Sequence, residues 1–91
     1  MFLQVGDSFS VKKSDVVFIL DADTASRGAA TRAFWKQKEQ EGLVIDCSDT
    51  LPLSLVLVQE RGKEAVLYLS RQKSTTLYAR WRTRKGRNEL D

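Results

Sequence analysis

Histidine is absent from this sequence, which also contains a single cysteine and a single proline among its 91 residues. Without histidine, the chain can build neither a Ser-His nor a Cys-His nucleophile, and it has no histidine-ligated zinc. Cys47 alone forms neither an intrachain disulfide nor a thiolate metal site. The five glycines are isolated from one another, so there is no Walker A sequence and no G-x-G-x-x-G loop. These absences predict a protein that is not an enzyme and that uses no cofactor, metal or small-molecule substrate.

Long apolar runs are also missing. No stretch approaches the roughly 20 apolar residues that span a bilayer, and residues 1–5 lack the basic and apolar regions of a secretory signal. We therefore expect a cytoplasmic protein without a membrane partner. The length and composition are typical of one globular domain, which we place at residues 1–82, followed by a basic, flexible tail at residues 83–91.

Positive charge is concentrated at the end of the chain. Residues 1–70 carry eight basic and ten acidic side chains, whereas residues 71–91 carry seven basic and two acidic ones. Such a cluster either lies in solvent or neutralises phosphates. We predict that it contacts double-stranded DNA, assisted by two lysines near the first hairpin. The predicted nucleic-acid-binding residues are Lys12, Lys13, Arg80, Arg82, Arg84, Lys85 and Arg87.

Residues 51–70 contain two β-rich apolar runs, at 53–58 and 65–69, joined by a charged break around Gly62. This pattern predicts a hairpin. Leu55 and Leu57 lie on one face of the first run, while Val56 and Val58 lie on the other. Because both faces are apolar, we expect this hairpin in the middle of a sheet, with material packed above and below it.

The rest of the chain predicts a small α+β domain with a mostly antiparallel sheet of five to six short strands and two helices. Residues 21–26 provide a loop with helix-capping side chains, and Gly42 is suited to a helix C-cap. In the first helix, Ala30, Ala33 and Phe34 form an apolar stripe that continues into polar positions, so only its first half should be well buried. The other predicted strands are 2–5, 9–12, 16–20 and 43–47, and the helices are 27–41 and a segment that begins at Ser74 or Thr75.

These two helices provide too little cover for strands that are apolar on both faces. We therefore expect a closed homo-oligomer, a ring, in which other copies supply the remaining cover. Trp35 lies beside the apolar stripe of its helix, and it either packs on the sheet or anchors a subunit contact. The predicted interface residues are Trp35, Val56, Val58, Val66 and Tyr68.

Other residues with reactive side chains are better explained by structure. Asp21, Asp23, Asp46 and Asp49 follow strand ends, where paired carboxylates can act as acid and base or bind Mg²⁺. Capping and turn formation explain the same positions, and we favour that interpretation. Cys47 lies in an apolar strand and is interpreted as a small buried hydrophobic residue.

Four segments follow one another along the chain: Phe2-Leu3-Gln4-Val5-Gly6, Phe9-Ser10-Val11, Asp15-Val16-Val17-Phe18-Ile19-Leu20-Asp21 and Ser74-Thr75-Thr76-Leu77. Their order resembles the RemA/RemB family of bacterial extracellular-matrix (biofilm) regulators, and it is closer to the RemB branch. The resemblance implies a cytoplasmic, non-enzymatic regulator that forms rings and, in the RemA branch, binds promoter DNA of biofilm-matrix genes.

The arginines that the resemblance associates with DNA contact are not present in this chain. One of these positions falls on or beside Asp15, and the arginine pair falls within residues 50–54, which contain no basic side chain. Two hypotheses follow. The chain is an oligomeric DNA-binding transcription regulator that contacts phosphates through another surface, or it is a structural or protein-interaction module that oligomerises without binding DNA.

Overall fold

A four-stranded sheet forms the centre of the computed structural model, which describes residues 1–83. Its strand order is β3-β5-β6-β4. The two central strands, β5 (Ser54–Val58) and β6 (Val66–Ser70), are antiparallel. They are flanked by β3 (Val16–Asp21), antiparallel to β5, and by β4 (Val44–Asp46), parallel to β6. The prediction of a central hairpin with two apolar faces is confirmed.

Two helices cover one face of this sheet. They are α1 (Ala22–Ala25) and α2 (Ala29–Gln40). Leu55, Leu57 and the leucines of β6 are buried on this side, and Phe34 and Trp35 of α2 pack against them. The first hydrophobic core is therefore built from the helices that follow β3.

The opposite face is covered by the two ends of the described chain. The hairpin β1 (Phe2–Gly6) and β2 (Phe9–Lys12) forms a separate two-stranded sheet that packs with the helix α3 (Ser74–Arg82). Leu3, Val5 and Val11 from the hairpin and Leu77 from α3 are buried there against Val16, Val56 and Val58. The Ser70 hydroxyl also donates a 2.7 Å hydrogen bond to the carbonyl of Val5, which ties β1 to β6.

This second cover corrects the expectation that the sheet needs other copies of the chain. Val56 is fully buried and Val58 is 4% exposed within a single chain, so neither is available to a subunit interface. The expectation is wrong because the first hairpin does not extend the central sheet but forms a second layer over it. Trp35, Val66 and Tyr68 are half-buried.

The buried stripe of α2 also differs from its prediction. Ala30 and Ala33 are exposed, whereas Lys38 in the second half of the helix is 8% exposed. The Lys38 ammonium group donates a 2.9 Å hydrogen bond to the carbonyl of Ala65 and lies 5.8 Å from the centre of the Phe34 ring. A lysine is buried here because its stem packs on the core while its charged end has a carbonyl partner.

Local hydrogen bonds account for the element boundaries. The Asp21 carboxylate accepts a 2.9 Å hydrogen bond from the Thr24 N–H and caps α1, a short helix in a segment predicted as loop. Gly42, predicted as a C-cap, has φ +75° and follows Glu41, the residue after α2. Because of the short helix α1, residues 1–83 contain three α-helices instead of the two predicted.

The glycine at position 6 is required by packing, because a Cβ added at Gly6 would lie 2.7 Å from the Cβ of Cys47.

No helix within residues 1–83 has both the length and the apolar composition needed to cross a membrane.

Replacing Lys38 with alanine should lower the free energy of unfolding by about 1–3 kcal/mol, because the carbonyl of Ala65 loses its charged donor and the lysine stem leaves the core. Lys36→Ala is the matched control, since Lys36 is exposed on the same helix, and it should change stability by less than about 0.5 kcal/mol. Urea denaturation of both variants measures the difference. Equal stabilities would show that the buried hydrogen bond contributes nothing.

Candidate nucleic-acid interface

A groove runs between strand β1 and helix α3, on the side of the hairpin layer. It consists of three connected depressions of about 470, 370 and 410 Å³. Gln4 and Arg80 line both the first and the middle depression, and Phe2 and Lys13 line both the middle and the last. We call this continuous feature the basic groove.

Six cationic side chains line the basic groove, and Asp7 is the one carboxylate among its described lining residues. Three of these cations line the first depression, and they come from α3 and the loop before it. The other three line the last depression, and they come from the end of β2, the turn after β2 and the end of α3. Such an excess creates a positive field along the groove. The six are Lys12, Lys13, Arg71, Lys73, Arg80 and Arg82.

Arg80 is held in place by the loop that leads into α3. One guanidinium nitrogen, Nη1, donates a 2.6 Å hydrogen bond to the side-chain oxygen of Gln72. The backbone carbonyl of Gln72 accepts a 2.8 Å hydrogen bond from the buried Ser54 hydroxyl on β5. Arg80 is thus positioned relative to the central sheet while its other N–H groups remain free to bind an anion, because a guanidinium carries five donors.

The last depression is closed by contacts between the two ends of the described chain. The Lys13 ammonium group donates a 2.9 Å hydrogen bond to the carbonyl of Thr83, and the indole N–H of Trp81 donates a 3.0 Å bond to the carbonyl of Lys13. A cation at the carboxyl end of a helix also interacts favourably with the helix dipole. Lys13 therefore has a structural contact in addition to its charge in the groove.

The structure brings together four of the predicted nucleic-acid-binding residues, Lys12, Lys13, Arg80 and Arg82. Arg82 lies 5.5 Å from the centre of the Tyr78 ring, which orients its guanidinium. Arg84, Lys85 and Arg87, and the tail after Thr83, lie outside the described residues.

Sequence reasoning did not assign Arg71, Lys73 or Gln72 to the site. Arg71 and Lys73 belong to the same cationic run that gave the prediction, so the charge count contained the signal for them. Gln72 has no such signal, because its role depends on the fold that places it between Ser54 and Arg80.

The carboxylates considered for catalysis have structural roles. Asp46 accepts hydrogen bonds of 2.9 Å from the Ser48 N–H and 2.5 Å from its hydroxyl, and the pKa of Asp46 is lowered chiefly by the hydroxyl. The bond from the Thr24 N–H likewise lowers the pKa of Asp21. Asp23 pairs with Arg27 at 2.8 Å, and Asp49 occupies a turn with φ 62°. Within residues 1–83, no three His, Cys, Asp or Glu side chains are close enough to hold a metal ion.

Cys47 lines the first depression of the basic groove but is not activated there. It is half-buried, and burial raises the pKa of its thiol to about 11, with smaller contributions from Asp46 and Asp49. A thiol with so high a pKa is a poor nucleophile at neutral pH. Its interpretation as a small packing residue agrees with its contacts in the core beneath the hairpin.

Neither a scan against protein-family models nor a search of curated proteins finds a match for this chain. The resemblance to RemA/RemB regulators therefore depends on the residue pattern alone.

Cys47 should react with iodoacetamide about 100-fold more slowly in the folded protein than in the denatured chain at neutral pH, because its pKa is about 11 instead of the ordinary 9.0. Mass spectrometry of timed samples measures both rates. The thiol favours the folded state while it is protonated. This contribution is complete below pH 9.0 and is lost as the pH rises towards about 11. Equal labelling rates would contradict the raised pKa.

Proposed function

We propose that this protein is a non-enzymatic DNA-binding regulator that holds a phosphate backbone in the basic groove. The observation that carries the proposal is the convergence of Lys12 and Lys13 with the cations of α3, although they are about 70 residues apart in the sequence. A cationic tail requires no such convergence. An aligned set of cations along a groove is what a linear polyanion needs for simultaneous contacts.

The length of the groove sets how many phosphates it can contact. Its α3 wall extends from Lys73 to Thr83, which at about 1.5 Å per residue is about 15 Å. Phosphates of one strand advance by about 3.4 Å along the axis of B-form DNA, so the groove spans at most about four of them. This number predicts a moderate, strongly salt-dependent affinity, to which residues 84–91 add further positive charge.

The resemblance extends the proposal to the biological role. The RemA/RemB-like segments support a cytoplasmic regulator of extracellular-matrix genes that binds double-stranded DNA as a homo-oligomeric ring. The support for self-association is an apolar patch, defined here as Trp35, Leu51, Pro52 and Leu53, which lines a cleft of about 390 Å³ beside α1. Leu51 is 85% exposed and Leu53 46% exposed, so the patch is open to another molecule.

The same patch favours the second candidate function, a protein-interaction module that oligomerises but binds no DNA. Large exposed apolar side chains that lie together are typical of protein contacts. The two functions differ in the basic groove, which has a role in the first and none in the second. A DNA-binding measurement therefore separates them.

Binding of a short DNA duplex should weaken as salt increases, with a slope of log K against log salt no steeper than about −4 for contacts in the groove. Arg80→Gln should lower the affinity and make that slope shallower by about 1. Arg27→Gln is the matched control, because Arg27 is an exposed cation paired with Asp23 away from the groove. Fluorescence anisotropy measures all three proteins.

No binding at low salt by the intact protein would reject the DNA-binding proposal and favour the second candidate. Equal losses of DNA affinity in Arg80→Gln and Arg27→Gln would show that binding depends on the total positive charge and not on the basic groove. Deleting residues 82–91 tests the tail together with Arg82, which lies at the end of α3. Unchanged binding would remove Arg82, Arg84, Lys85 and Arg87 from the interface.

Leu51→Ser should lower the mass of the assembly in native mass spectrometry, because it replaces the most exposed apolar side chain of the patch with a polar one. Val17→Ser is the control, since Val17 is 51% exposed on β3 outside the patch. A monomeric intact protein at high concentration would reject the ring. An assembly that is equally reduced by both substitutions would place the contact elsewhere.

A further inference from the structure

Phe2 lies where the basic groove meets a second cleft on the hairpin. Its side chain is 62% exposed, although it belongs to a regular strand. Lys12 is its direct partner across the hairpin, so the aromatic ring and the ammonium group share the outer face. Both residues line the basic groove and also the second cleft. A molecule lying in the groove therefore has Phe2 at its side.

The second cleft, which we call the hairpin cleft, has a volume of about 360 Å³. Tyr68 of β6 lines this cleft together with Phe2. Burial raises the pKa of the Tyr68 hydroxyl, which therefore stays protonated and able to donate a hydrogen bond. Asp15 and Glu60 contribute carboxylate acceptors, and Arg61 contributes donors. The hairpin cleft thus combines two aromatic side chains with both kinds of hydrogen-bonding group.

The basic groove and the hairpin cleft, which meet at Phe2, differ in the charge of their lining residues. The basic groove has six cations and one carboxylate, whereas the hairpin cleft has two cations, Lys12 and Arg61, and two carboxylates. A phosphate is attracted to the first and gains little in the second. A neutral planar ring with donors and acceptors on its edge fits the second, since aromatic side chains stack on it and polar groups bind its edge.

We propose that the hairpin cleft binds an unpaired nucleobase, and that a single strand passes its backbone along the basic groove while one base reaches past Phe2 into the cleft. This inference rests on the proposed binding of nucleic acid. A duplex offers its phosphates to the groove, but its bases are paired and stacked, and extruding one costs binding free energy. The protein therefore prefers a single strand to a duplex of the same sequence.

The groove geometry supports one strand. Its two walls, β1 and α3, pack together in the same hydrophobic core, so the space between them is a surface depression along about 15 Å of helix. A single backbone lies along such a depression, and its bases are free to turn to either side. Phe2 and Lys12 are on the side where the hairpin cleft opens.

Fluorescence anisotropy of the full chain with three DNA probes tests this inference. The probes are a short single strand, an abasic strand of the same length and a duplex of the same sequence. The single strand should bind roughly tenfold more tightly than either of the others, which is the effect of stacking one base. Phe2→Leu should remove this advantage, so that the single strand binds no more tightly than the abasic strand and the duplex measured with the same variant.

Phe9→Leu is the matched control, because Phe9 is 39% exposed on the same hairpin and lines neither depression. Tyr68→Phe removes only a hydroxyl group and should reduce the single-strand advantage while circular dichroism stays unchanged. This variant provides a second readout if Phe2→Leu alters the fold.

Equal affinities for the three probes in the wild-type protein would overturn the base-binding cleft while leaving backbone binding in place. Equal effects of Phe2→Leu and Phe9→Leu on single-strand binding would overturn it as well. By contrast, no binding of any probe, or binding that Arg80→Gln does not weaken, would reject the proposed function itself. The two failures are therefore distinguishable.

Discussion

The fold depends on burying both faces of the β5–β6 hairpin. Leu55 and Leu57 point to one side and Val56 and Val58 to the other, and all four are buried in the single chain. Burying such side chains contributes about 1.5–3 kcal/mol each, so a structure that left either face in water would be strongly disfavoured. The order of the elements along the chain allows both faces to be covered. The helices after β3 cover one face, and the first hairpin and the last described helix cover the other.

The basic groove is a result of this arrangement. Because β1 and α3 must both lie over the same face, the segments that carry Lys12, Lys13 and Arg80 become neighbours. Neither the hairpin nor α3 has a groove alone. The interaction that buries Leu3 and Leu77 also sets the distance between the cationic walls.

Local patterns in the sequence predicted most of the helices and strands, but they did not predict which layer of the fold each one occupies. The two apolar runs around Gly62 are adjacent strands, and Gly42 ends a helix, because such signals depend on a few neighbouring residues. The position of the first hairpin depends on contacts between residues some 65 apart, such as Ser70 with Val5, and no local pattern encodes them. Lys38 was missed for a related reason. A lysine indicates an exposed position unless its partner, here the carbonyl of Ala65, is known. The cations of the groove were largely predictable from charge, whereas the role of Gln72 was not.

The contacts of Lys13 with Thr83 and of Trp81 with Lys13 join residues about 70 positions apart. The hairpin wall of the groove is synthesised before the α3 wall. A nascent chain that still lacks α3 therefore presents only half of the surface, with Leu3, Val5 and Val11 uncovered on the side that α3 closes. The proposed capacity to hold a polyanion thus arises only after α3 has folded against the hairpin, and it is lost when either of the two detaches.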